Sequence, residues 1–191
     1  MSEKIKHTCF SKTVIIPMVI ILIAALCGSI SAGRISEAEC DNLSGYLVNF
    51  FKDVPGIDKT LLYSSLKKHI TVWFMIAVSG CILPAFLLNV ATVWERGFVI
   101  GYTAAGFCRV YGLKGVTACV ALFPEMVFFI PVLAIFSSFS LKMSFLSHEN
   151  KKVFFGKYIF SVIFFLSVFC GISVFQTFLT TTFMRWISSG M

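Results

Sequence analysis

The sequence predicts an all-α integral membrane protein, a polytopic bundle of about five transmembrane helices with a short extracytoplasmic loop. Apolar residues make up 58% of the chain and charged residues only 13%. Four stretches, 13–33, 70–94, 115–141 and 158–184, contain a single charged residue, Glu125. Each stretch is long enough as a helix to cross a hydrocarbon core of about 30 Å. The segments between them are too short for a separate soluble catalytic domain.

The first predicted elements are a cytoplasmic tail, 1–12, and a first span, 13–33. A lysine-bearing tail before an apolar run is also typical of a secretory signal, but this run is long for one and further spans follow. We therefore predict an uncleaved helix. Ala24, Gly28 and Ala32 recur every four residues, which predicts one face on which another helix packs closely.

An extracytoplasmic loop is predicted at 34–69, with a turn at 53–56. Leucines on one face and lysines on the other predict a short interfacial helix at the end of this loop. It leads into a second span, 70–92. Pro84 predicts a kink near the middle of that span.

Residues 93–111 are predicted to form a short third span, with a re-entrant hairpin as the alternative. A span is favoured because Arg96 and Arg109 can extend their guanidinium groups to opposite interfaces. Gly97, Gly101 and Ala105 form a ladder of small residues that lets a neighbouring backbone come close. This ladder predicts helix packing within the bundle or, alternatively, an interface with another protein.

A tight connection at 111–115 leads into a fourth span, 116–140, which carries Pro124 and Pro131. A cytoplasmic loop, 141–157, a fifth span, 158–183, and a tail, 184–191, complete the chain. Lysines and arginines divide equally between the two sides, so the positive-inside rule does not decide the orientation. We favour a cytoplasmic N-terminus because the segment before the first span usually has most influence.

Glu125 is a candidate intramembrane polar site, because a carboxylate near the middle of a bilayer is costly unless it is neutralised or faces a polar interior. The alternative is a protonated carboxyl, or one that is hydrogen-bonded inside the bundle. The sequence contains no hydrolase, metalloprotease or nucleotide-binding motif, so no enzyme activity and no catalytic residue are predicted. The three histidines are placed at span ends or in loops.

Seven cysteines without a CxxC pair predict neither a metal site nor a cofactor. Basic residues do not cluster with exposed aromatic residues, which argues against nucleic-acid binding. The positive net charge of +7 fits contact with anionic lipid headgroups at the span ends. The lipid bilayer is thus an expected partner, and a homo-oligomer stays open.

The order of the motifs resembles the stage II sporulation protein M family. Residues 94–102, Trp-Glu-Arg-Gly-Phe-Val-Ile-Gly-Tyr, look like the family's G-F-x-x-G segment. Residues 122–131, Leu-Phe-Pro-Glu-Met-Val-Phe-Phe-Ile-Pro, are similar to its paired prolines on the fourth span. Glu125 departs from the pattern because it follows Pro124 directly. A relative's acidic residue just before the second proline therefore does not transfer its role to Glu125.

This resemblance implies a non-enzymatic membrane scaffold for forespore engulfment during sporulation. Family members are understood to recruit peptidoglycan hydrolases of the stage II sporulation D and P types. The implied location is the cell membrane, at the sporulation septum and the engulfing membrane. The outer loop and the glycine-lined helix faces would then be the docking surfaces. The alternative is a transporter or permease-like subunit that uses Glu125.

Overall fold

A computed structural model describes residues 2–52, 59–81, 85–112, 115–116, 119, 125–145 and 148–190. The main elements are α1 (Ser2–Gly33), α2 (Glu37–Lys52), α3 (Lys59–Cys81), α4 (Phe86–Tyr111), a π-helical turn (Glu125–Phe129), α5 (Ile130–Ser144) and α6 (His148–Gly190). These residues contain no β-strand. The all-α prediction is therefore confirmed for the described part of the chain.

Within the described ranges, three helical segments are long and apolar enough to cross a membrane. They are Thr13–Gly33 of α1, Met126–Ser144 and Phe155–Leu179 of α6. Large apolar side chains such as Leu22, Leu26 and Phe160 are exposed on the outer faces of these helices. A surface this apolar is suited to lipid rather than water. The chain is a polytopic all-α membrane protein.

Helices α1 and α4 pack side by side and run in the same direction. Gly97 lies against Ile21 and Gly101 lies against Ala25, so both contacts pair residues 76 apart in number. Helix α3 runs antiparallel to α4, because Ser79 bonds to Asn89 and Met75 lies beside Thr92. We call the two ends of the bundle the Thr13 end and the Gly33 end, after the limits of the α1 span.

Helices α5 and α6 complete the bundle around α3. The hydroxyls of Ser140 and Ser144 donate to the carbonyls of Ile76 and Ser79, so α5 runs parallel to α3. Helix α6 runs antiparallel to α3, since Tyr158 donates to the Ala77 carbonyl and Trp73 to the Val162 carbonyl. The core between these helices is apolar and aromatic, and includes Val72, Ile76, Phe129, Leu133, Phe136, Phe165 and Phe169.

The structure divides the predicted second span differently. Helix α3 ends at Cys81 and α4 begins at Phe86, so the predicted boundary between residues 92 and 93 falls inside α4. A proline removes a backbone donor and disfavours a helical conformation in the residue before it. Pro84 itself lies outside the described residues. Residues 86–92 of the predicted span 70–92 therefore belong to α4.

Helix α4 is continuous from Phe86 to Tyr111, so the re-entrant alternative for 93–111 is wrong. Gly112 follows it with φ of 58°, a conformation that favours glycine. The Gly115 N–H donates to the Gly112 carbonyl at 3.0 Å, which makes the predicted connection a tight turn.

Other helix limits also differ from the predicted boundaries. Helix α1 begins at Ser2, so the expected tail 1–12 is helical from Ser2 onwards, and the expected outer loop 34–69 contains α2 and the start of α3. The expected loop 141–157 is largely helical as well. Helix-forming residues outside the apolar runs continue the flanking helices, and hydropathy marks only their lipid-immersed parts. The predicted turn at 53–56 lies outside the described residues.

Candidate functional site

Three glycines allow the backbones of α1 and α4 to touch. A Cβ atom at Gly97 would lie 2.6 Å from the Ile21 carbonyl oxygen, and one at Gly101 would overlap the Ala25 carbonyl. A Cβ at Gly28 would overlap the Phe98 carbonyl. Ser29 adds a hydrogen bond from its hydroxyl to the Gly101 carbonyl at 3.2 Å. The small-residue faces predicted on both helices therefore meet each other, and Ala105 lies partly buried one turn beyond Gly101.

Arg109 holds the C-terminal end of α1. Its Nη1 atom donates to the carbonyls of Ala32, at 3.1 Å, and Gly33, and its Nη2 atom donates to the Ile35 carbonyl at 2.6 Å. The last carbonyls of a helix have no partner within the helix and carry the negative end of its dipole. A guanidinium group donates hydrogen bonds to these carbonyls and brings a positive charge to the negative end of the dipole. Arg109 therefore fixes where the chain leaves α1.

A capping box begins α2 directly after this point. The backbone N–H and hydroxyl of Ser36 donate to Glu39 Oε2 at 3.1 and 2.8 Å. The Glu39 N–H lies 3.4 Å from the Ser36 hydroxyl oxygen. This reciprocal pattern satisfies the free donors at a helix N-terminus. The hydrogen bonds from Ser36 also lower the pKa of the Glu39 carboxyl below its usual 4.5.

Helix α2 and the short link before it form a platform at the Gly33 end, which we call the outer platform, residues 34–52. The platform contacts α4 and α6 through α2, in addition to the link through Arg109. Polar side chains are exposed along its first half: Glu37, Glu39, Asp41 and Asn42. The bundle therefore presents a helical, acidic surface in a fixed position.

A buried network of polar side chains joins α3, α4 and α5. The Asn89 side-chain amide donates to Ser79 Oγ at 3.2 Å and to the Ser137 carbonyl at 3.3 Å. Ser137 donates back to Asn89 Oδ1 at 2.6 Å, and Ser79 and Ser140 hydroxyls lie 2.8 Å apart. Hydrogen bonds of this kind hold helices together in lipid. Asn89 therefore joins α4 to both α3 and α5. The serines of α5 were missed, although their clustering in an apolar segment was visible.

His69 lies inside the bundle, although the sequence suggested a span end or a loop. It is 1% exposed, and its Nδ1 atom lies 3.0 Å from the Ser65 carbonyl and 2.9 Å from Ser173 Oγ. The centroids of the His69 and Phe129 rings lie 4.5 Å apart, with their planes at 63° to each other. This correction follows from α3 beginning ten residues before His69, so that the ring points into the core.

Arg96 is also buried, contrary to the prediction that it reaches an interface. It is 8% exposed, and its closest opposite charge is the neighbouring Glu95, with Nη2 and Oε1 3.9 Å apart. Among the described residues no group accepts a hydrogen bond from its Nε atom. The error comes from the helix start, because α4 begins ten residues before Arg96 and carries it into the bundle.

Glu125 begins the π-helical turn that precedes α5, and its side chain lies outside the described part of the structure. Pro131 is near the start of α5, where its ring would clash with the carbonyl four residues earlier in a regular helix. A wider π turn relieves that clash. Pro124, the other predicted proline, lies outside the described residues.

A groove of about 330 Å³ opens between α1, α4 and the start of α5. It is lined only by apolar residues: Met18, Ile21, Leu22, Ala25, Gly97, Ile100, Met126 and Ile130. Such a surface suits a lipid chain and gives no path for a polar solute. Among the described residues no three histidine, cysteine or acidic side chains converge as a metal site.

The model of the stage II sporulation protein M family matches residues 17–181. The chain belongs to the stage II sporulation protein M family. The match runs from the first turns of the α1 span to the last turns of α6, so the resemblance seen in the motifs at 94–102 and 122–131 is confirmed. No curated protein and no solved structure matches the chain significantly. Family membership makes it a sporulation-related membrane protein.

Proposed function

We propose that this member of the stage II sporulation protein M family is a non-enzymatic scaffold for forespore engulfment. It recruits and holds peptidoglycan hydrolases of the stage II sporulation D and P types at the septum and the engulfing membrane. The observation that carries this proposal is the anchored outer platform, with Arg109 bonded to three backbone carbonyls where the chain leaves α1. A scaffold needs a recognition surface held in one orientation to the membrane, and this surface meets that need.

The proposed membrane path has five crossings. Helices α3 and α4 contain 23 and 26 residues, which correspond to about 35 and 39 Å. Their opposite directions carry the chain from the Gly33 end to the Thr13 end and back. The Ser138 hydroxyl donates to the Thr13 carbonyl, so the α5–α6 connection lies at the Thr13 end of the bundle.

The lysines before the first span favour a cytoplasmic Thr13 end. The lysines before Thr13 share that end with Lys142 and Lys157, which precede and follow the connection between α5 and α6. The count of positive charges on the two sides does not decide the orientation, but the segment before the first span usually has most influence. The acidic outer platform then faces the compartment in which peptidoglycan is degraded.

The scaffold is tested in sporulating cells with fluorescently tagged hydrolases. Deletion of the chain is expected to scatter the hydrolases and block engulfment. The double variant Glu37→Lys and Asp41→Lys, at exposed positions of the outer platform, is expected to reproduce the scattering at normal protein level. Lys157→Gln, exposed at the opposite end, is the control and should leave hydrolase localisation intact. Unchanged septal hydrolases in the deletion strain would reject the scaffold.

A second candidate function is a transporter or permease-like subunit. The observation behind it is that Glu125 opens a π-helical turn, a feature often found at functional sites. Glu125→Gln would then abolish sporulation while protein level and hydrolase localisation persist. Normal spore formation by that variant would reject transport through Glu125.

A further inference from the structure

An exposed carboxylate interrupts the apolar outward face of α4. Glu95 is 59% exposed, and the residues around it on the same face are Leu87, Leu88, Ala91, Trp94 and Val99. We call this set the α4 outer stripe. The opposite side of α4, which includes Gly97 and Gly101, is already occupied by α1. The stripe is therefore a separate surface with one charged group at its centre.

The position of Glu95 along the bundle makes that charge costly. Since Gly97 lies against Ile21, Glu95 is level with residue 19 of α1, six residues beyond Thr13. Six helical residues correspond to about 9 Å, and the Gly33 end of the span is about 21 Å away. A carboxylate exposed to lipid at that depth is unfavourable unless another group pairs with it.

Among the described residues, the ion pair recorded for Glu95 is with Arg96, and it leaves both groups incompletely paired. The Arg96 guanidinium approaches Glu95 only to 3.9 Å, too far for a hydrogen bond. The Arg96 side chain is only 10% exposed, and its buried Nε atom has no acceptor among the described residues. The carboxylate can accept further hydrogen bonds, and the guanidinium can donate them. A complete site would bring one more cation to Glu95 and one more anion to Arg96.

We propose that the α4 outer stripe binds a second copy of this chain, and that Glu95 of each copy pairs with the Nη2 atom of the partner subunit's Arg96, the guanidinium atom that lies beside Glu95 at the edge of the stripe. Two copies inserted in one membrane share the same orientation, so a two-fold axis along the membrane normal places equal residues at equal depth. Adjacent opposite charges on one helix are then self-complementary, and both pairs form at once. Ala91, one turn from Glu95, leaves room for the partner helix.

The depth of Glu95 excludes a lipid headgroup as the intended occupant. An anionic headgroup would also be repelled by the carboxylate. An unrelated helix would have to supply an acid and a base in matching positions, whereas a second copy supplies both by symmetry. The inference rests on α4 crossing the bilayer, as proposed above, but it does not depend on hydrolase binding.

Subunit counting in vesicles tests the pairing. Full-length chains carrying one fluorophore each are reconstituted at low density, and bleaching steps are counted for each spot. The unaltered chain is expected to show mainly two steps. Glu95→Gln should weaken self-association about three- to thirtyfold, the range of interhelical polar contacts in membranes. Glu37→Gln, an exposed acid on the outer platform, is the matched control and should change nothing.

A charge-complementation experiment separates pairing from general damage. Glu95→Lys leaves a chain with cations only at this site, and Arg96→Gln leaves one with the acid only. Each is expected to be mainly monomeric alone, and the two together should form mixed pairs detected with two colours. Failure of the mixture to associate, or two-step bleaching that survives Glu95→Gln and Glu95→Lys, would overturn the proposal.

Trp94 reports the depth on which the inference depends. With Trp73 and Trp186 replaced by phenylalanine, lipids brominated on their acyl chains should quench the Trp94 fluorescence in the Glu95→Gln monomer. Absence of quenching would reject the crossing by α4 itself. Quenching without self-association of the unaltered chain would reject only the proposed pairing with a second copy.

Discussion

Glycine at positions 28, 97 and 101 determines how closely α1 and α4 approach. Their four-residue spacing, together with Ala24 and Ala32, was sufficient to predict a close helix contact from the sequence. The sequence did not reveal that the two small-residue faces are each other's partners. That pairing depends on α4 extending back to Phe86, which aligns residues 97 and 101 with residues 21 and 25. The early start of α4 also explains why Arg96 was wrongly predicted to reach an interface.

We predict that Gly101→Ala separates α1 from α4 and destabilises the protein. Its methyl group would overlap the Ala25 carbonyl, a backbone group that cannot rotate away. Overpacking of this kind costs about 1–3 kcal/mol. Thermal unfolding in detergent micelles should show a lower midpoint. Gly171→Ala is the matched control, because a Cβ there meets no atom within 4 Å. Equal midpoints for both variants would contradict the backbone contact.

Arg109→Gln is predicted to release the outer platform without unfolding the bundle. The shorter amide cannot reach the carbonyls of Ala32, Gly33 and Ile35 together, so the end of α1 loses its cap. Hydrogen–deuterium exchange in α2 should become faster, while exchange in α3 and α5 stays slow. The exchange rate of α2 in Arg109→Lys should lie between those of the unaltered chain and Arg109→Gln, because lysine keeps the charge but lacks the planar donor fork of arginine. Unchanged exchange in α2 would argue that other contacts hold the platform.

At the scale of elements, hydropathy located three segments that are long and apolar enough to cross a membrane, but not the helix ends. Pro84 was interpreted as a kink inside one span, whereas α3 ends at Cys81 and α4 begins at Phe86. The sequence could not decide between these two outcomes for a physical reason. A proline leaves a backbone carbonyl without its helical donor, and whether the helix continues depends on whether neighbouring elements supply another donor. The buried serines of α5 show a similar limit. Their partners, Asn89 and Ser79, lie far away in the sequence and become neighbours only in the folded bundle.

The start of α2 is predicted to depend on pH through Glu39. Hydrogen bonds from Ser36 favour the ionised carboxylate, so the folded-state pKa lies below the usual 4.5. A lowered pKa means that the stabilising contribution is complete above about 4.5 and is lost as the pH falls through the folded-state value. NMR titration of the Glu39 carboxyl in micelles should give a midpoint below 4.5, and Ser36→Ala should raise it. A midpoint that Ser36→Ala leaves in place would rule out the capping box as the cause.

For the whole molecule, the directions of the helices place the outer platform and the α5–α6 connection at opposite ends. Two observations fix this arrangement: Ser138 bonds to the Thr13 carbonyl at one end, and Arg109 bonds to the carbonyls after Ala32 at the other. Neither contact is visible in the sequence, where positive charges balanced and left the orientation undecided. Burial of Arg96 removes one of the positive charges assigned to the Thr13 end, so the proposed orientation rests on the lysines before the first span rather than on the count.

Accessibility to a membrane-impermeant thiol reagent tests the resulting orientation. In a background without native cysteines, Asp41→Cys on the outer platform is expected to react in intact cells, because its side chain is exposed at the end of the bundle that we propose is extracytoplasmic. Lys157→Cys, exposed near the opposite end, should react only after the membrane is permeabilised. The two positions serve as controls for each other, since both are exposed. The reverse pattern would place the platform in the cytoplasm, away from peptidoglycan, and would remove the physical basis for a scaffold that holds cell-wall hydrolases. Reaction of both cysteines in intact cells would mean that the two ends of the bundle are not separated by the bilayer.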